Sequence, residues 1–176
     1  MTGPSGVGKG TLIKELLKRL PGLQLAVSAT TREPRDGEVN GRDYHFLSRE
    51  DFDRRVAAGE FVEHAEYAGN RYGTLRTELA RPACGIVLEI DVQGARQVRE
   101  TLPEATRIFI EPPSFEDLAR RLRQRGADSP EQIERRLRAA REELAARDEF
   151  DRRIVNDDLE RASRELTALV ATMCPP

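Results

Sequence analysis

The residues whose types and spacing point most directly to chemistry are Gly3-Pro4-Ser5-Gly6-Val7-Gly8-Lys9-Gly10-Thr11. Gly3, Gly8 and Lys9 fall in the pattern G-x-x-x-x-G-K of a phosphate-binding loop. Glycines let successive backbone N–H groups turn inward around an anion without Cβ clashes. Lys9 supplies a mobile positive charge for the β- and γ-phosphates of a nucleotide. A helix beginning here aims its unpaired N–H groups at the same anion. One position departs from the simple pattern: the Ser or Thr that usually meets Mg²⁺ directly after the lysine is Gly10, and Thr11 follows one place later. Metal contact is therefore expected through Thr11, directly or through water.

Other constellations carry weaker signals. Glu89 and Asp91 close the apolar run Ile86-Val87-Leu88-Glu89-Ile90-Asp91. Two residues apart in a strand, they share one face. Ligands of open α/β sheets sit beyond the carboxyl ends of strands, so a carboxylate there, Asp91 above all, is a candidate for Mg²⁺. Arg32 and Arg35 lie in a turn-rich loop upstream of Tyr44. Two guanidinium forks and a phenol suit a second phosphate, although taken alone the loop reads as solvated charge. Arginines also crowd Arg120, Arg121, Arg123, Arg125, Arg135, Arg136, Arg138 and Arg141. Most read as solvated helix faces with Glu–Arg pairs, and one or two could swing onto transferring phosphates. Nucleic-acid binding by that patch lacks the aromatics that base stacking needs. His45 and His64 are isolated, and phosphoryl transfer has no need of a histidine.

The elements that must position these groups follow from periodicity and punctuation. Thr11 to Leu20 is an amphipathic helix with Leu12, Leu16, Leu17 and Leu20 on one face, ended by Pro21-Gly22. Residues 23–28 alternate like a strand. Pro34, Gly37 and Gly41 rule out a long regular element over 30–41. Tyr44 to Leu47 reads as a short strand, Ser48 to Asp51 as a capped helix start, and Phe61 to Tyr67 as another strand, with a turn at Ala68-Gly69-Asn70. The apolar runs at 86–91 and 107–110, and a weaker one at 154–156, read as buried strands. Helices are expected at 93–101, 114–125, 130–147 and 158–172, with good starts at Ser114 and Ser129-Pro130. On the helix over 130–147, Ile133, Leu137, Ala140 and Leu144 form one apolar stripe. Strand–helix alternation of this kind predicts an α/β fold with a parallel sheet flanked by helices.

Composition sets bounds on this reading. The chain has 176 residues, enough for one domain with inserted subdomains. Aromatics are only 5%, so the core must rest on Leu, Ile, Val and Ala. A net charge of −2 argues against a general nucleic-acid or membrane-surface binder. Cys84 and Cys174 are far apart with no C-x-x-C, which favours a reduced, cytoplasmic chain. No apolar run reaches membrane-spanning length and no signal peptide is visible. Only Met1 and Thr2 precede the phosphate loop, which normally hangs from a buried strand. Four or five missing core side chains at roughly 1.5–3 kcal/mol each weigh heavily against a total stability of about 5–15 kcal/mol. The native protein is therefore expected to carry an upstream strand. The last helix likewise breaks off at Met173-Cys174-Pro175-Pro176.

With these residues in view, the chain resembles a guanylate kinase of the bacterial type. The resemblance runs from Gly3 to about Thr172. Its sharpest signature is Thr30-Thr31-Arg32-x-x-Arg35-x-x-Glu38-x-x-Gly41-x-x-Tyr44-x-Phe46. Phe61-Val62-Glu63, Gly69-Asn70-x-Tyr72-Gly73-Thr74, Ile90-Asp91-x-Gln93-Gly94, Pro112-Pro113-Ser114, Arg125-Gly126 and Ile154-Val155-Asn156-Asp157-Asp158 support it. It implies a P-loop NTPase-type core over 1–30, 81–120 and 148–176, an inserted GMP-binding subdomain over 31–80, and a helical lid over 121–147. It implies magnesium-dependent transfer of a phosphoryl group from ATP to GMP in purine nucleotide metabolism. By position, Arg32, Arg35, Tyr44 and Tyr72 would hold the GMP phosphate, and Ser28, Glu63, Thr74 and Asp91 would surround the guanine. Residues Gly3 to Thr11 and Asn156 would bind ATP. Lys9, Arg32 and the lid arginines Arg125 and Arg136 would serve catalysis. Thr11 and Asp91 would meet Mg²⁺. Two other readings stay open: a catalytically silent guanylate-kinase-like module that binds protein partners, and a P-loop kinase for another small phosphorylated acceptor. Neither nucleic acid nor membrane enters, and the oligomeric state is undetermined.

Overall fold

The structure, a computed structural model, describes residues 1–67, 69–124 and 129–174. In chain order its elements are α1 (Lys9–Arg19), β1 (Leu23–Leu25), β2 (Ala29–Thr30), β3 (His45–Phe46), α2 (Arg49–Ala57), β4 (Phe61–Tyr67), β5 (Asn70–Leu75), α3 (Arg76–Leu79), β6 (Gly85–Val87), α4 (Val92–Thr101), β7 (Ile108–Glu111), α5 (Phe115–Gln124), α6 (Pro130–Ala145), a 3₁₀ turn (Arg147–Glu149), β8 (Arg152–Val155) and α7 (Leu159–Ala171). They divide into two units, Met1–Gly22 with Thr106–Pro176, and Leu23–Ala105.

In the first unit β7 is the central strand. It pairs in parallel with β8, Ile110 opposite Ile154, and on its other side bridges in parallel to Thr2. Thr2 donates its N–H to the Ile108 carbonyl at 2.9 Å and accepts from the Ile110 N–H at 2.8 Å. Ile108, Phe109 and Ile110 are buried, as a strand covered on both faces requires. Leu12, Ile13 and Leu16 of α1, Leu118 and Leu122 of α5, Ile154 and Leu166 complete the core. On α6 the predicted stripe is the inner face: Leu137 and Ala140 are buried, Ile133 and Leu144 half-buried. Ser129 accepts from the Gln132 N–H and Gln132 answers the Ser129 N–H, the reciprocal cap the sequence suggests.

In the second unit a mixed four-stranded sheet runs in the order β3-β2-β5-β4. Its hairpin β4–β5 sets Glu63 against Thr74, with a register shift between Phe61 and Glu63. Ala29, Phe52, Phe61 and Leu75 form its core, the rings of Phe52 and Phe61 stacked at 4.5 Å between centroids. Beside this sheet, β1 and β6 form a parallel pair.

Three expectations are corrected here. The strand expected over 23–28 stops at Leu25, because the Val27 amide bonds the Glu78 carboxylate at 2.8 Å instead of extending a ladder. The apolar run over 86–91 is strand only to Val87. Asp91 does not end that strand but caps α4, accepting the Gly94 N–H at 2.8 Å, and Glu89 is exposed. The thiols expected to be reduced are not: neither Cys84 nor Cys174 is free, since motif spacing does not report oxidation state. Among the described residues, no helix is long and apolar enough to cross a membrane.

Candidate active site

The phosphate loop owes its shape to backbone that only glycine adopts readily. Gly8 takes φ 95° and ψ 21° immediately before α1, and a Cβ there would stand 2.6 Å from the Asn156 amide nitrogen. A Cβ on Gly3, at φ +151°, would run into the Ile110 carbonyl oxygen. No side chain caps α1, whereas Ser48, Asp91, Ser129 and Asp158 cap α2, α4, α6 and α7. The first-turn amides of a helix have no carbonyl a turn earlier within the helix to accept them. They suit an anion, aided by the positive end of the helix dipole. The Lys9 ammonium reaches back to the Gly3 carbonyl, so the cation closes the loop over the place a phosphate would occupy.

Asn156 is buried at the end of β8 and donates its side-chain amide to the Val7 carbonyl at 2.8 Å. Arg121 in turn donates to the Asn156 carbonyl at 2.9 Å. A cavity of about 460 Å³ opens beside them, lined by Gly6, Val7, Gly8, Thr11, Arg121, Gln124, Asn156, Asp157 and Leu159. That volume falls in the range of small-molecule sites, roughly 300–1,000 Å³. Pro4 is buried beneath the loop, and Ser5 and Gly10 are half-buried. Arg136 is half-buried on α6, and Arg125 lies outside the described residues.

Within the second unit, strand register gathers the remaining candidates at two places. Pairing of Thr30 with Tyr72, and of Ala29 with His45, brings Arg32, Tyr44 and Tyr72 together. The Arg32 guanidinium lies 5.3 Å from the Tyr44 ring centroid, and the Tyr44 and Tyr72 rings meet edge to face at 6.2 Å. Arg32 is not idle. Its Nη2 donates to both Glu38 oxygens at 2.8 and 2.9 Å, and its Nη1 to the Glu33 carbonyl at 2.7 Å. Those bonds leave Nε and one Nη1 proton of its five for another anion. The Glu38 hydrogen bond raises the Arg32 pKa, and Arg32 holds the Glu38 carboxyl below its usual range. Arg35 gives its backbone N–H to Glu38 at 2.7 Å while its side chain is exposed. Burial pushes the Tyr44 phenol up, with Tyr72 adding to it.

The second gathering is around Glu63. It is 5% exposed and accepts the Thr74 hydroxyl at 2.7 Å. Burial pushes its carboxyl up to about 7, the Thr74 hydroxyl opposing the shift and the Asp91 charge adding to it. Half-buried Ser28 lies between β1 and β2, its carbonyl accepting from the His45 N–H at 2.9 Å.

The two candidate metal ligands belong to different units, Thr11 to the first and Asp91 to the second. Mg²⁺ usually keeps waters and substrate phosphates in its shell and takes few protein ligands. Among the described residues, no group of three or more His, Cys, Asp or Glu could hold a metal. Thr11 presents an exposed side chain at the cavity. Asp91 accepts the Gly94 N–H at one oxygen, its helix cap, and the Gln93 side-chain amide at 3.4 Å at the other.

Two features escape sequence reasoning. Glu38 belongs to the signature, but its grip on Arg32 is visible only in space. Glu78 has no local signal at all. It is 7% exposed and holds the Val27 amide, the His45 ring at 2.9 Å and Arg81 at 2.9 Å. It thereby braces the chain next to both Ser28 and Tyr44.

Comparison with known proteins gives the family. The family model described as guanylate kinase matches residues 1–173. The guanylate kinase of Nostoc sp. is 58% identical over 165 residues, covering 92% of this chain and 83% of that protein. That of Streptomyces coelicolor is 55% identical over 172 residues, covering 96% and 87%. The crystal structure of guanylate kinase from Anaplasma phagocytophilum matches 99% of this chain and 85% of that one, with a TM-score of 0.78 at 34% identity. An uncapped helix behind a glycine loop, a tyrosine-flanked arginine and a buried glutamate locked to a threonine thus occur in a chain that belongs to the guanylate kinase family.

Proposed function

We propose that this chain transfers the γ-phosphoryl group of ATP to GMP, giving ADP and GDP. A GMP phosphate oxygen attacks the γ-phosphorus in line, and the bond to the β,γ-bridging oxygen breaks with its electron pair leaving on ADP. Little covalent work falls to the protein in such a transfer, so positioning and charge neutralisation dominate. Lys9 and the amides of the loop and of α1 hold the β- and γ-phosphates. Asn156 borders the adenine. Arg136, with Arg125, draws onto the charge that develops in transit. Thr11 and Asp91, directly or through water, would hold a Mg²⁺ ion brought by the nucleotide, which would supply neutralisation of phosphate charge. Arg32, Arg35, Tyr44 and Tyr72 grip the GMP phosphate, Arg32 through the donors Glu38 leaves open. Residues 31–80 act as the acceptor-binding part and 121–147 as a lid that excludes water during transfer.

The observation that carries this reading is the Glu63 carboxyl. Guanine offers N1–H and N2–H₂ side by side, and an ionised carboxylate accepts from both. Adenine has no such donor pair. A site built to hydrogen-bond a group rejects an analogue lacking it by about 10⁴–10⁵-fold. Ser28, Thr74 and Asp91 complete the guanine surroundings. A coupled assay with GMP, AMP and UMP as acceptors tests the reading: turnover is expected with GMP alone. Preference for AMP or UMP would point to another acceptor, and no turnover with any would point to a binding module.

A further inference from the structure

Gly94 occupies the third position of α4, with no backbone reason to be glycine, since its φ lies outside the left-handed region. Glycine is the poorest helix former after proline, so this helix forgoes the preference that alanine would give it. The reason is steric. A Cβ on Gly94 would collide with Oε2 of Glu63, 3.1 Å from its Cδ and 3.3 Å from the Ile90 Cβ. Oε2 is the end of a side chain, and the end of an exposed side chain would simply move aside. This one is enclosed: Glu63 is 5% exposed and its Oε1 is tied to Thr74 at 2.7 Å. The helix cannot retreat either without loosening its cap, because the Gly94 N–H donates to Asp91 at 2.8 Å. The carboxyl is thus clamped between a threonine hydroxyl on β5 and a bare Cα on α4.

We propose that Gly94 is a specificity-determining position of the acceptor site: its missing side chain lets α4 seat against Glu63 and fixes the plane of the carboxylate that reads the base. Gly94 is a positioning residue, acting through Glu63, and the proposal rests on the reading of Glu63 as the guanine acceptor.

Two measurements test it. In thermal unfolding, Gly94→Ala is expected to leave Tm unchanged or lower in the otherwise native chain. In a Glu63→Ala background the added methyl meets no carboxyl and should raise Tm by about 2–4 °C; the difference isolates the contact between the two positions. In steady-state assays, Gly94→Ala should lower kcat/KM for GMP on the order of 10²-fold, as a misplacement of about 1 Å does. The loss falls on KM for GMP, with KM for ATP within about twofold, and preference for GMP over inosine monophosphate, which lacks the 2-amino group, shrinks. A merely structural role would move both substrates or neither. Should Gly94→Ala fold too poorly to assay, recovery of folding in the Glu63→Ala/Gly94→Ala chain supports the proposal, and failure of that double variant to fold overturns it. Equal Tm gains in both backgrounds, or unaltered GMP kinetics, also overturn it. Absence of GMP turnover by the unsubstituted chain overturns the guanine reading with it, whereas normal turnover beside an unaffected Gly94→Ala chain overturns this proposal alone.

Discussion

In the proposed reaction the two units would grip anions with different material. In Met1–Gly22 with Thr106–Pro176 the grip is mostly backbone: positive-φ glycines, the uncapped amides of α1 and one lysine folded onto the loop. In Leu23–Ala105 it is side chains: an arginine shared with Glu38, two tyrosines in edge contact, and a buried carboxyl. Backbone amides cannot titrate, and their placement is set within nine consecutive residues. Side chains titrate, and theirs are brought together by the pairing of strands far apart in sequence. The first design should recognise any nucleoside triphosphate. The second should discriminate between bases, and its performance should depend on pH.

The sharpest way to break that comparison is to remove the lone side chain from the backbone-built grip. Lys9→Ala should lower kcat on the order of 10²–10³-fold, the scale of losing one transition-state donor, and lower Tm by only about 2–4 °C, the scale of losing its hydrogen bond to the Gly3 carbonyl. Steady-state rates and thermal unfolding check both halves. A Lys9→Ala chain with normal turnover would mean that the amides alone carry the charge.

Next in size is the carboxyl. Glu63→Gln keeps an oxygen for the Thr74 hydroxyl but sets an amide donor against the donors of guanine. A drop in kcat/KM for GMP on the order of 10²-fold is expected, with ATP binding by titration calorimetry unchanged. Equal losses for both nucleotides would erase the distinction between the two units.

The pH dependence sharpens the same contrast. The carboxyl of Glu63 stands at about 7 in the folded chain against an ordinary 4.5. Between those values the folded chain holds a proton that the unfolded chain has released, so stability falls as pH rises through that window. The favourable contribution is complete below about 4.5 and gone above about 7, roughly 3 kcal/mol at most. Glu63→Gln should flatten that slope, as urea unfolding between pH 4.5 and 8 would show. Guanine needs the ionised form, so KM for GMP should rise about tenfold from pH 8 to 6, following the ionised fraction. Comparison with Glu63→Gln removes the substrate's own titration. KM for ATP should show no such pH term from Glu63.

How much of this was legible in the sequence follows the same division. The phosphate loop and α1 could be read from spacing alone, because the site is local. The capped starts of α2 and α6 could be read for the same reason. Glu63, Tyr72 and Thr74 were legible only through resemblance, since nothing local marks a glutamate as facing a threonine eleven residues on. The run at 86–91 is apolar without being strand throughout, because apolar content alone does not set where a ladder ends: the Asp91 cap and, on the neighbouring strand, the Glu78 carboxylate end the ladders early. Glu78 itself was invisible: its three partners, Val27, His45 and Arg81, come from three separate stretches of chain.

The smallest expected effect probes whether the side-chain grip is shared among its members. Tyr72→Phe removes one hydroxyl and keeps the ring against Tyr44, so the packing that shapes the site stays. A neutral hydroxyl bonding a phosphate that Arg32 and Arg35 also hold contributes about 1 kcal/mol, or roughly fivefold in KM for GMP, with kcat nearly constant. Tyr44→Phe should do the same by a similar amount. If each hydroxyl adds to its neighbours, the double substitution costs the product of the two, about 25-fold. A double variant no worse than either single one would mean that the two phenols serve a single hydrogen bond between them. The acceptor phosphate would then be held by the guanidiniums, with the tyrosine rings acting as walls.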